Sequence, residues 1–379
     1  MAFSFGKLLQ GMRSTDGSVV GVDIGSSSIK VVQLRASRGI AILETYGEIA
    51  LGPYASNAIG KTVRLPAEKL AEALLDLMRE ANVTAHEASV SIPFSSSLLT
   101  VIDLPKVDAE SLKRIVPLEA RKYIPVPVSD VVLDWFVIPP EENETSAFDK
   151  VTDPKKTKLP KGQEVLLAAI HNDILRTYKS VSSSAGLQVD FYEIEVFSAI
   201  RATVEHGIAP LLMVDIGAST AKMYIVERGI VRLTHIVTAG GQNMTENLAN
   251  TMTWEFEKAE RVKRERGLIA STAYSRTENE NISAALLSTL TRVFEEVNRV
   301  LLSYGERSNK NVARVILTGG AASLPGLVDV AKTSLNAEVI IANPFSHTEA
   351  PAFLDDVLRQ IGPGFAVSIG LALRKLKHS

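Results

Sequence analysis

Two stretches of this chain carry nearly the same phrase: "VDIGSSSIKVVQL" from Val22 to Leu34 and "VDIGASTAKMYIV" from Val214 to Val226. Each reads as an apolar strand ending in an aspartate, a tight turn of small and hydroxyl residues, and a returning strand. The surroundings repeat as well. A third strand is expected around Ala41 to Ile49 after the first copy; after the second, a turn at Arg228 and Gly229 leads into "IVRLTHIVTAGG". A motif that recurs with its context marks a duplicated half-domain, and hence a fold with two similar lobes.

The repeated phrase also suggests a chemistry. A strand, a small-residue hairpin and a returning strand make a loop whose backbone N–H groups converge, and glycine removes the side chain that would obstruct an oxyanion. Hydroxyls of Ser26, Ser27 and Ser28 in the first copy, and of Ser219 and Thr220 in the second, add donors. The aspartate before each glycine, Asp23 or Asp215, closes a buried strand, where a carboxylate is costly unless a cation accompanies it; hydrated Mg²⁺ bridging phosphates is such a cation. Two facing hairpins would clamp one polyphosphate from opposite sides. A double glycine after an apolar strand, Gly319 and Gly320 in "VARVILTGGAASLPGL", lets backbone approach a flat base or ribose closely.

Composition narrows the alternatives. Forty-one basic and 43 acidic side chains give a net charge of −2, without a long block of either sign, so no footprint for nucleic acid or anionic lipid stands out. With no cysteine, disulfides, thiolate catalysis and cysteine-ligated zinc are excluded. The six histidines show no metal-ligand spacing. No apolar run approaches the ~20 residues that span a bilayer, and Phe3 to Met12 reads as a frayed leader. Pro139 to Gln163 is polar and proline-bearing, the composition of a mobile hairpin tip. Helical periodicity predicts helices at Ala67 to Ala81 and across "SAALLSTLTRVFEEVNRVLLSYG", whose apolar face runs through Leu286, Leu290, Val293, Val297, Val300 and Tyr304.

The two hairpins and "ILTGGAASLPGL" together resemble the actin, heat-shock chaperone and sugar-kinase ATPase superfamily over nearly the whole chain. Within it, "LEARKYIPVPVSDVVLDW", "DFYEIEVFSAIRA" and "GPGFAVSIGLALR" resemble the PilM family of type IV pilus assembly proteins, itself similar to the division protein FtsA. The resemblance implies an α/β, actin-like (ribonuclease H-like) duplicated fold, with two lobes around a nucleotide cleft and an inserted α+β subdomain. The implied divisions are a leader (1–17), first-lobe core (18–87), insertion (88–185), return and crossover (186–209), second-lobe core (210–241 and 310–349) around a helical subdomain (242–309), and a C-terminal helix returning to the first lobe (350–379).

For the site, the resemblance implies ATP and Mg²⁺. Gly25, Ser26, Ser27 and Lys30 would contact β- and γ-phosphates from one lobe, with Gly217, Ser219 and Thr220 doing so from the other. Asp23 and Asp215 would hold Mg²⁺ through water. Gly241, Gly319, Gly320 and Ala321 would line the nucleotide. Glu195 either positions the attacking water or is a buried helix-capping carboxylate. Glu260 and Lys263, one helical turn apart, either touch ribose and adenine or form a plain surface ion pair. Lys222 stays outside the expected site, since strand alternation leaves its direction open.

The implied function is a cytoplasmic ATP-binding scaffold with at most weak ATPase activity, because the crossover "IEVFSAI" lacks the Glu-Pro of chaperone relatives. Its implied partners are the N-terminal cytoplasmic tail of the membrane protein PilN and other pilus inner-membrane platform and motor proteins. Association with the inner membrane would then be indirect. The alternatives are an FtsA-like polymerising division protein and a small-molecule kinase of the same superfamily.

Overall fold

The computed structural model describes residues 17–140, 162–205 and 207–378; the expectations for the N-terminal leader up to residue 16 and for the polar run 141–161 lie outside the described residues. In chain order, β1 (Ser18–Ile24), β2 (Ser28–Ser37) and β3 (Ile40–Ala50) form a meander, followed by α1 (Ala67–Glu80) and β4 (Glu87–Ile92). Then come β5 (Ser97–Leu104), α2 (Ala109–Ala120), β6 (Val131–Val137), β7 (Gln163–His171) and α3 (Asn172–Ser184). Strand β8 (Gln188–Ile194) leads into α4 (Glu195–Thr203). A second meander, β9 (Leu211–Ile216), β10 (Ala221–Glu227) and β11 (Ile230–Val237), precedes α5 (Gly241–Met252), α6 (Phe256–Arg266) and α7 (Arg276–Ser308). The chain continues through β12 (Arg314–Thr318), α8 (Leu327–Ser334), β13 (Glu338–Ile341), α9 (Asp355–Ile361) and α10 (Ala366–His378).

Two five-stranded sheets share one topology, β3-β2-β1-β4-β8 and β11-β10-β9-β12-β13, with the meander antiparallel and the last two strands parallel. The duplicated phrase occupies the same place in each, as the β1–β2 and β9–β10 hairpins. Central strands are covered on both faces, so β9 buries every residue after Leu211, the near-continuous apolar run expected of such strands. Helix α7 starts at a Ser275–Glu278 capping box and buries the apolar stripe from Ile282 through Tyr304 in the second-lobe core.

Both sheets belong to one compact unit, which runs to Phe94 and resumes at Leu175; Ser95–Ile174 forms a separate unit. The smaller unit is an antiparallel β5-β7-β6 sheet with α2, cored by Ile102, Leu112, Val116, Val165 and Leu167. It is shorter than the expected 88–185. The "EASVSI" segment is buried after Glu87 and pairs in parallel with β1 and β8, so it completes the first lobe's sheet instead of opening the insertion. The residues that α3 buries, Leu175, Tyr178 and Val181, likewise lie in the larger unit.

The crossover helix α4 packs against α10, and α10 also lies on β1 and β2. Their approach is backbone to backbone: a Cβ on Gly370 would stand 1.9 Å from the Ser198 carbonyl oxygen, and one on Gly21 2.0 Å from that of Ser368. Side chains of Phe365, Ile369 and Ala372 then fill the core formed by Val19, Val32 and Leu34. A buried Glu193 on β8 ties these elements by accepting from Arg201, Arg374 and Ser198. Burial opposes its charge, but the two guanidinium groups outweigh that and pull its pKa down to about 2. Among the described residues no helix is long and apolar enough to cross a membrane.

Candidate nucleotide cleft

The two hairpins turn in the same way. Gly25 N–H donates to the Ser28 carbonyl at 2.9 Å, and Gly217 N–H donates to that of Thr220, also at 2.9 Å. They face each other, with the hydroxyls of Ser26 and Ser219 3.3 Å apart. Each is fixed from behind: Leu51 and Val63 N–H groups bond the carbonyls of Ser27 and Ser26, while Gly241 and Gln242, opening α5, bond those of Gly217 and Ala218. Between the lobes lies a cavity of about 500 Å³.

All the expected site residues line this cavity: Asp23, Gly25, Ser26, Ser27, Lys30, Glu195, Asp215, Gly217, Ser219, Thr220, Gly241, Glu260, Lys263, Gly319, Gly320 and Ala321. Sequence reasoning missed Lys222 and Gln242, and gave no part to the turn before α10. That turn touches the double glycine, since the Pro363 carbonyl accepts from Gly319 N–H and the Thr318 hydroxyl, each at 2.9 Å. Gly319 adopts a φ of 87°, and a Cβ there would lie 2.3 Å from Asp215 Oδ1, so only glycine leaves this carboxylate in place.

The floor is charged. Glu195, the first residue of α4, accepts from Phe94 N–H at 2.6 Å and from Lys222 Nζ at 2.8 Å, and Lys222 also reaches Asp215 at 3.3 Å. Glu195 therefore does not cap its own helix. Burial opposes the Lys222 charge, but Glu195 and Asp215 outweigh it and hold the ammonium well above its ordinary pKa. Burial also lifts the Glu195 carboxyl, helped by Asp215 and Asp23 and opposed by Lys222. Asp23 accepts from the Ser91 hydroxyl at 2.8 Å; burial raises its pKa against the pull of Lys30, Ser91 and Lys222. Lys30 turns to Ser28 Oγ at 3.0 Å and Glu48 at 3.1 Å.

At the opposite wall, Glu260 and Lys263 form a buried pair at 2.6 Å, which rules out a plain surface ion pair. Arg264 and the Thr245 hydroxyl complete the Glu260 shell, while Lys263 also donates to the Gly241 carbonyl and Thr245. Burial opposes the Glu260 charge but is overcome by Lys263, leaving its pKa low; burial also lowers that of Lys263, against the pull of Glu260. The lobes also meet directly. Thr62 N–H and hydroxyl both donate to Gln242 Oε1, at 2.7 and 2.8 Å, and Lys61 lies 3.3 Å from Glu246.

A divalent cation fits this donor set in one way. Among the described residues no three acidic or histidine side chains close on a common point. Asp23 and Asp215, which end the two hairpin strands, both line the cavity and are the carboxylates that could hold the cation. Five acidic side chains, Asp23, Glu48, Glu195, Asp215 and Glu260, line the cavity against four basic ones, Lys30, Lys222, Lys263 and Arg264.

Two copies of one sheet-and-hairpin unit closing on a polar cavity define the actin-like class of two-lobed proteins. Within that class, the chain belongs to the family described as type IV pilus assembly protein PilM, which it matches over residues 21–376. It is also similar to the cell division protein FtsA of Bacillus subtilis (strain 168), 22% identical over 357 residues that cover 86% of this chain and 78% of FtsA. Among solved structures, it resembles the PilM-PilN type IV pilus biogenesis complex with a TM-score of 0.75 and 23% identity, over 96% of this chain and 99% of that one. MreB 5 of Spiroplasma citri bound to AMPPNP shares the fold at a TM-score of 0.53 and 11% identity, over 96% of this chain and 98% of that one.

Proposed function

We propose that this pilus assembly protein is an ATP-binding scaffold. Nucleotide holds its two lobes together, and a partner docks on the assembled molecule. The facing of the duplicated hairpins, Ser26 against Ser219 over a shared polar cavity, carries this reading. Convergent hydroxyls and backbone donors suit phosphate oxygens, Lys30 adds a charge, and Mg²⁺ when bound would neutralise phosphate oxygens between Asp23 and Asp215. The Glu260–Lys263 wall with Gly319, Gly320 and Ala321 would receive the nucleoside.

Binding is favoured over turnover because Glu195, which the family resemblance implies as the water-orienting residue, already accepts from Phe94 N–H and Lys222. By similarity to the PilM-PilN complex, the partner is the cytoplasmic N-terminal tail of PilN, which would bring this chain to the inner membrane and link it to the pilus platform and motor. Calorimetry with Mg-ATP, followed by titration of a PilN tail peptide, tests both steps. Asp23→Ala or Asp215→Ala should weaken Mg-ATP binding by about tenfold or more, which corresponds to about 1.4 kcal/mol. Unchanged affinity in both folded variants refutes the cleft assignment. Efficient phosphoryl transfer to small hydroxyl compounds would instead favour a kinase.

A further inference from the structure

The duplicated phrase places a lysine at the same register in both hairpins: Asp23 pairs across the strands with Lys30, and Asp215 with Lys222. The two lysines do different things. Lys30 swings to Ser28 and Glu48, leaving Asp23 to the Ser91 hydroxyl. Lys222 instead bridges Glu195 at 2.8 Å and Asp215 at 3.3 Å, with only 13% of its side chain exposed. The first lobe thus turns its lysine's ammonium to Ser28 and Glu48, whereas the second lobe holds its lysine as a fixed cation between two carboxylates.

We propose that Lys222 is a built-in counter-ion, a positioning residue that neutralises Glu195 and Asp215 and so lowers the dependence of nucleotide binding on Mg²⁺. The inference rests on the nucleotide reading above and deepens it. An ammonium seated against Asp215 satisfies the carboxylate that a hydrated divalent ion would otherwise engage, and it repels that ion at close range. The energy that Mg²⁺ adds to phosphate binding is reduced accordingly. In the first lobe Lys30 acts on Asp23 from a distance while its ammonium contacts Ser28 and Glu48, so the two halves of the clamp differ in their need for metal.

A fluorescent ATP analogue titrated into the full chain, once with excess Mg²⁺ and once with EDTA, reads this as a ratio of affinities. Lys222→Gln is expected to widen the ratio of the two affinities by about threefold or more over that of wild type. A ratio that Lys222→Gln leaves unchanged overturns the inference while the scaffold reading stands. Should Lys222→Gln fail to fold because Glu195 is left buried and bare, Lys222→Gln/Glu195→Gln removes that charge. The same widened ratio is then expected, and an unwidened one refutes the counter-ion role. Absence of nucleotide binding to wild type in both conditions refutes the scaffold reading and this inference with it.

Discussion

Glu193 offers the sharpest energetic test of the junction between β8, α4 and α10. It is 4% exposed, and it accepts from Arg201, Arg374 and Ser198. Replacing it with glutamine keeps the shape but leaves two largely buried guanidinium groups without their counter-charge. Loss of one partner of a buried ion pair costs about 3–5 kcal/mol. The pH dependence separates this from a packing defect. The folded pKa of about 2 lies below the ordinary 4.5, so the carboxylate contributes stability that is fully present above pH 4.5 and is lost as pH falls toward 2. At about 1.4 kcal/mol per pH unit the whole contribution is about 3 kcal/mol, of which about 2 is gone by pH 3. Urea melts of wild type and Glu193→Gln at pH 7 and pH 3, followed by circular dichroism, should therefore show a stability difference that shrinks by about 2 kcal/mol at the lower pH. Other acidic groups titrate alike in both proteins and cancel. An equal difference at the two pH values would refute the depressed carboxylate and the ion-pair role built on it.

Two further outcomes are expected. Gly370→Ala drives a methyl into the Ser198 carbonyl at 1.9 Å and should destabilise by about 2 kcal/mol or more, seen as a fall in Tm. Gln242→Ala removes both hydrogen bonds from Thr62 between the lobes, and stopped-flow release of a fluorescent nucleotide should accelerate by about tenfold; an unchanged rate would mean that this bridge does not hold the lobes.

The duplicated hairpins were legible because their signal is local: an aspartate, a glycine and small hydroxyl residues at fixed spacing, repeated with its flanking strands. The α7 stripe was equally readable, since helical periodicity and a capping box lie within one segment. Lys222 was not. Its meaning depends on Glu195, which arrives from the crossover helix, and strand alternation alone does not say which neighbours surround a side chain. Gln242 escaped for the same reason, because Thr62 reaches it from the other lobe. The start of the inserted unit was misplaced because "EASVSI" resembles any short strand; only its parallel pairing with β1 shows that it belongs to the first sheet. Burial of the Glu260–Lys263 pair, likewise, comes from Gly60 lying against Glu260 and Gly241 against Lys263, and spacing on α6 cannot report that.

The position of α10 bears on the order in which the molecule assembles during synthesis. The second lobe has its full sheet once residue 341 has been made. The first lobe, begun earlier, still lacks Phe365, Ile369 and Ala372 from its interior at that moment. The interior around Val19, Val32 and Leu34 therefore closes only when the last-made segment of the chain reaches it, so the half that begins first is completed last.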